Sequence, residues 1–439
     1  MTRKKQSIAV MLFLTAGLFV SAYAENSISE FVEKQAVPLT SFEDFHPFLK
    51  KADSKKLVLL GEASHGTSEY YTWRAAISKH LVRTMDFKFI AVEADWPSAY
   101  AINRYVKNLP GAAETAEKAM EAFVRWPHWM WKNKETLDLV EWLREYNNRL
   151  PMANRVGFYG VDLQNKQKSI QAVLRILEHE EDESLYRFAL EKYGCLTRFA
   201  SGREYLRNIV RTGKNCSQQT ERVYRKISKK LEQISPHEQF NLYHNARLII
   251  HAEQNLRANL DQGPAAWNIR ANHFQYTAEA LLDEYGKTHK NVSGIIWAHN
   301  THVGDARATT MAQSGMVNIG QLARSKYGRE NVLIVGFGSY SGEVLAGREW
   351  GADKERMSLP EAPPKTWEYI AKNAGHDLFA ISFDNAPSAL KTTAIGHRAV
   401  GVSYNPEHDF RNYVPTRMAD RYDIFLFFRE TSGLSPLGF

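Results

Sequence analysis

Seven short apolar runs constrain this chain more than any other feature: LVLL at 57–60, then FKFIAVEADW, RVGFYGVDL, VSGIIWAHN, NVLIVGFGSY, LFAISFD and YDIFLFF. They are rich in Val, Ile and Phe. They lack the apolar–polar alternation of a half-exposed strand, so they suit strands covered on both faces. Between them lie segments with apolar residues at helical spacing, such as SEYYTWRAAISKHLVRTM and NKETLDLVEWLREYNNRL, the latter ending before Pro151. Strand–helix alternation predicts an α/β fold with a mainly parallel central sheet flanked by helices. From 164 to 287 no strand is evident and charged helical patterns dominate, which predicts a large all-helical lobe. The α/β core would then span about 40–163 and 288–439, with a cleft between core and lobe.

The first residues read as a processing segment. MTRKKQ is basic, SIAVMLFLTAGLFVSA is apolar, and Ala22-Tyr23-Ala24 is a small-x-small site before Glu25. That is a signal peptide over 1–24 and a mature chain over 25–439, in the periplasm or secreted; the alternative is an uncleaved anchor. No other stretch is long enough to span a bilayer. Two cysteines, Cys195 and Cys216, read as a disulfide in an oxidising compartment, the alternative being two buried thiols. The chain carries +7, of which Arg3, Lys4 and Lys5 supply three, so the mature chain is near +4. Basic residues are interleaved with acids without a long Lys/Arg block, which argues against a nucleic-acid partner.

In open α/β sheets ligands bind beyond the carboxyl ends of the strands. The residues at the ends of the apolar runs are therefore informative. Glu62 and His65 come after the first, in GEASHG, whose glycines would let the chain leave the sheet sharply. Glu93, Asp95 and Trp96 close the second, and Asp162 closes the third. His299, Asn300 and His302 come after the fourth, and Ser339 and Tyr340 end the fifth. A carboxylate inside an apolar strand, such as Glu93, needs a partner. Glu62 could instead cap the helix that starts near Thr67, and Arg74, two turns into that helix, could reach back to the motif or face solvent.

Two chemistries fit this inventory. His65 could act as a general base on water, oriented by a carboxylate, with a second histidine or Arg74 polarising a carbonyl. Alternatively Glu62, His65, His299 and His302 could hold a divalent metal that activates water. HEXXH is absent, and AHNTH is a loop with i, i+3 spacing, a weak metal signal. No G-x-S-x-G elbow ends a strand, and neither GxGxxG nor a Walker motif comes after one, so no nucleotide cofactor is expected.

In order along the chain, LLGEASHGTSEYY with Arg74, FIAVEADW, RWPHWMWKNKETLDLVEWLREYN, FYGVDLQ, WNIRANHF and IIWAHNTHVGDAR resemble the erythromycin esterase family. The resemblance implies a hydrolase of carboxylic esters, such as a macrolide lactone, acting by histidine-activated water attack without a covalent intermediate. It implies an α/β core with a deep cleft, a small-molecule ester substrate and no cofactor. The family's essential Glu and His match Glu62 and His65. Its helical arginine matches Arg74, its second-strand glutamate Glu93, and its later histidine pair His299 and His302. Arg270, Trp96, Trp129, Tyr340 and Asp162 are then expected at the substrate. Departures are Ala271 and Phe274 where an Asp and a Met are usual, and His128 in place of a small polar residue. A wider group of similar proteins includes metal users and haem binders. The alternatives are thus a metal-dependent hydrolase or peptidase, or a periplasmic binder of a small molecule or haem.

Overall fold

The computed structural model describes residues 22–261 and 263–438. Eleven strands occur among them. They are β1 (Val37–Pro38), β2 (Leu57–Leu60), β3 (Phe89–Asp95), β4 (Gly157–Asp162), β5 (Gly294–Trp297), β6 (Val332–Gly347), β7 (Lys354–Leu359), β8 (Leu378–Ser382), β9 (Ile395–Arg398), β10 (Tyr413–Thr416) and β11 (Ile424–Thr431). Nine form one sheet in the order β1-β8-β11-β6-β2-β5-β3-β4, with β7 paired to β6, while β9 and β10 form a ribbon. The six central strands from β11 to β4 are all parallel to their neighbours. Antiparallel pairs occur only at β1–β8, β8–β11 and β6–β7 within this sheet. Each of the seven apolar runs forms a strand here. Leu57, Val58, Leu59 and Leu60 are all fully buried, because helices cover both faces of the sheet.

The segment after β4 is helical up to β5: Lys166–His179, Glu183–Thr197, Gly202–Thr212, Ser217–Lys230, Pro236–Ala258 and Ala265–Gly286. Its outer helices enclose a hydrophobic core of their own, built from Ile170, Val173, Leu185, Tyr193, Val223 and Ile227 among others. Cys195 and Cys216 are disulfide-bonded within it, tying the helix Glu183–Thr197 to the start of Ser217–Lys230. The last helix, Ala265–Gly286, belongs to both parts. Its Phe274, Ala278, Leu281 and Leu282 join the core cluster of the sheet. It therefore carries Trp267 and Arg270 to the edge of the sheet. No described helix is long and apolar enough to cross a membrane. The proposed signal segment falls almost wholly outside the described residues.

Two details of the sheet set up the site. Register between β3 and β4 shifts between Val92 and Asp95, a bulge. The bulge frees Glu93, Ala94 and Asp95 from strict alternation, and all three line one cavity. Gly66 lies in the turn that leaves the loop, but neither glycine of GEASHG has a left-handed backbone. What both positions require is close approach. A Cβ on Gly61 would lie 2.0 Å from Asn300 Oδ1, and one on Gly66 only 1.8 Å from the Leu345 carbonyl oxygen.

Candidate active site

The loop leaving β2 is fixed by backbone bonds from four distant segments. Val400 N donates to Ala63 O (2.7 Å), and Asn300 N donates to Glu62 O (2.8 Å). Gly66 O accepts from both Leu345 N (3.0 Å) and Leu434 N (2.9 Å), and Ser68 N donates to Ser432 O (2.9 Å). Within this frame Glu62 is fully buried. Its Oε1 meets His65 Nδ1 at 2.9 Å and its Oε2 accepts from Arg74 Nη2 at 2.9 Å. Glu62 therefore caps no helix; both oxygens are spent on these two partners. Arg74 is fully buried, its guanidinium lying over the rings of Tyr71 (4.3 Å) and Trp297 (4.8 Å).

This arrangement defines His65. Nδ1–H points at Glu62, so Nε2 is the nitrogen left for the cavity that His65 lines. Burial pushes the imidazole down, but the Glu62 carboxylate, with Glu93 behind it, more than offsets this and raises its pKa above 6.5.

The second half of the site is built on Arg270. Its Nε and Nη2 form a two-pronged bond with Asp162 (3.0 and 2.8 Å), and Nη2 also reaches Glu93 Oε1 (2.7 Å). His302 Nε2 stands between Arg270 Nη1 (2.9 Å) and Glu93 Oε1 (3.3 Å). His302 Nδ1 is buried without a partner. Burial and the Arg270 charge lower the His302 pKa, and Glu93 does not reverse this. Burial opposes the charge on Glu93, yet the His302 ring and Arg270 hold its carboxyl well below the usual range. Glu93 Oε2 accepts from His299 N at 2.8 Å. The His299 ring sits 4.8 Å from that of His65, with Nε2 3.3 Å from Ala63 O and Nδ1 bonded to Thr301. Burial, then the neighbouring His65, lower its pKa well below 6.5, so His299 is neutral.

These groups face one cavity of about 320 Å³ at the carboxyl edge of the sheet. His65, Glu93, Asp162, Arg270, His299 and His302 line it. Glu62 and Arg74 do not; they stand behind His65. Arg74 therefore cannot polarise a substrate carbonyl, contrary to one sequence expectation. It acts through Glu62. Three aromatic expectations are also corrected. Trp96 is fully buried between Tyr159 and His244 and donates to Asn241 Oδ1 (3.1 Å). Trp129 is buried in the core beside the sheet. Tyr340 donates to Glu361 Oε2 (2.7 Å), away from the cavity. Helical or strand spacing cannot tell an aromatic packed into a core from one facing a pocket. The cavity's own aromatic wall is Trp131, Trp267, Phe123 and Trp350. Trp350 is 61% exposed on the β6–β7 connection and packs on Trp126 at 4.7 Å. No local pattern announced it.

The would-be metal ligands do not share a vertex. Both Glu62 oxygens, both His299 nitrogens and His302 Nε2 already have protein partners. Among the described residues no group of three or more His, Cys, Asp or Glu side chains is arranged to hold a metal ion. The donor set does not fit the metal alternative.

Fold and site together define a mixed α/β protein with a histidine–carboxylate cluster at the carboxyl edge of a parallel sheet. The chain belongs to the erythromycin esterase family, whose model matches residues 82–431. That match begins beyond the GEASHG loop. A curated relative, erythromycin esterase type II from Escherichia coli, is 21% identical over 380 residues, 81% of this chain and 87% of its own length. Among solved structures, a succinoglycan biosynthesis protein superposes with a TM-score of 0.77 at 20% identity, over 95% of this chain and all of its own. A Bacillus cereus protein does so with a TM-score of 0.77, 20% identity, and 94% and 99% coverage. An erythromycin esterase mutant in its open conformation gives a TM-score of 0.63 at 14% identity, over 91% and 96% of the two chains.

Proposed function

We propose that this protein hydrolyses a carboxylic ester, a macrolide lactone being one candidate, by direct attack of a water activated by His65. The observation that carries the reading is the line Arg74–Glu62–His65, which fixes the imidazole and leaves Nε2 to the cavity. In the proposed reaction His65 Nε2 takes a proton from water as the water oxygen bonds to the acyl carbon. Glu62, backed by Arg74, stabilises the imidazolium. The carbonyl oxygen gains the negative charge on the side of the cavity lined by Arg270, His299 and His302. When the acyl C–O bond breaks, the proton on Nε2 passes to the leaving alkoxide, and one water has been added in all. Arg270, committed to Glu93 and Asp162 and in contact with His302, holds the far wall.

We further propose that the chain is exported to the periplasm or secreted, which its signal-like first residues and the Cys195–Cys216 bond support. The reaction needs no metal in this proposal, since the base is His65 itself. The test is a panel of macrolides and simple carboxylic esters, read by mass spectrometry for gain of one water. On any substrate turned over, His65→Ala is expected to lower the rate by on the order of 10²–10⁴. Full activity in that variant overturns the assignment.

A further inference from the structure

Charge is distributed very unevenly in this molecule. Between Arg198 and Lys230 there are ten Lys and Arg against two Glu, a net +8 that exceeds the +7 of the entire sequence. All of this lies in the outer part of the helical lobe. The interleaving seen along the whole chain conceals it.

The helix Gly202–Thr212 concentrates it further. Arg203, Arg207 and Arg211 are four residues apart, so they stack along one face, and Val210 falls on the same face beside them. All four are exposed, Val210 at 74%. None of the three guanidiniums has an ion-pair partner among the described residues. Exposed Arg198 and Lys214 flank the helix at its two ends. The opposite face does the structural work. Tyr205 is buried, donates to Glu253 Oε1 and accepts from Cys216 N (2.9 Å), and Leu206 and Ile209 pack on the lobe core. The helix is thus anchored from within, and its outer arginine face contributes nothing to that anchoring.

We propose that this face docks the protein onto an anionic lipid bilayer. An arginine stripe with an apolar side chain set into it matches a surface of anionic headgroups over acyl chains. A nucleic-acid duplex would meet the arginines through phosphates alone, leaving Val210 in water, and the face carries no aromatic side chain for stacking a base. The remainder of the chain is net −1, so an anionic surface attracts this end and repels the rest, which orients the molecule. No residue between 165 and 266 lines the cavity, so the docking face and the cavity share no residue.

The test uses the full mature chain with vesicles of phosphatidylcholine, alone or with about one-third phosphatidylglycerol, read by co-sedimentation. The protein is expected to partition onto the anionic vesicles only, and to be released as salt rises to roughly 0.5 M and screening shortens. The combined variant Arg203→Gln, Arg207→Gln, Arg211→Gln should bind on the order of a hundredfold more weakly, at several-fold per cation. Val210→Ser should weaken binding by a smaller factor. Both should keep the wild-type melting curve, since every altered side chain is exposed. Equal binding to neutral vesicles, undiminished binding by the triple variant, or tighter binding to a DNA duplex than to the anionic vesicles would each overturn the proposal.

Discussion

Arg74 is the least accessible of the charged groups around His65, and its position explains its part. A buried carboxylate in contact with a single imidazole would be costly to keep ionised. Arg74 supplies the second bond and the compensating charge. Arg74→Met is therefore expected to destabilise the fold by about 3–5 kcal/mol, the usual result of stripping one partner from a buried pair. Glu62→Gln/Arg74→Met should cost less than the sum of the single changes, which denaturant unfolding of all four proteins would measure. A pH profile reports on the same contact. The base must be unprotonated, so kcat/KM on a turned-over ester should rise with pH through a midpoint above 6.5. Glu62→Gln removes the charge that raises the imidazole. The rising limb should then move to lower pH while the plateau falls. A limb that stays in place would separate Glu62 from the titration of His65.

Legibility at the scale of elements followed burial. Runs such as LVLL and FIAVEAD are apolar because both faces are covered, and such runs are visible in one sequence. β7, KERMSL, is mostly exposed, and β1 is two residues long; each is a strand only because β6 or β8 offers it an edge. Chain position relative to strand ends singled out Glu62, His65, Glu93, Asp162, His299 and His302, which the fold brings to one edge because a parallel sheet presents all its carboxyl ends on one side. Arg270 was placed only by family resemblance, since it arrives from a helix whose start no strand marks. Trp350 was out of reach, because the β6–β7 connection that carries it comes from a segment far along the chain. The lobe offers its own test. Cys195 and Cys216 are 21 residues apart, and closing such a loop is worth about 3 kcal/mol. Cys195→Ser/Cys216→Ser should lower the stability of the lobe by about that amount, seen as faster hydrogen exchange in residues 183–230. The rate at the distant His65 should change little.

At the scale of the whole molecule, the site is held by parts widely separated in sequence. Glu62, Ala63 and Gly66 are pinned by Asn300, Val400, Leu345 and Leu434, while Ser432 N and Oγ meet Glu69 across 363 residues. Synthesis on a ribosome runs from the amino end, at several residues per second. The loop bearing Glu62 and His65 emerges early, but the segment that secures Gly66 and Ser68 emerges only after about 360 more residues have been joined. For most of its synthesis the chain therefore carries His65, the proposed base, without the frame that aims it. The proposed hydrolysis would, in the compartment where the chain is made, be limited by the arrival of Ser432–Leu434, long after His65 itself had emerged.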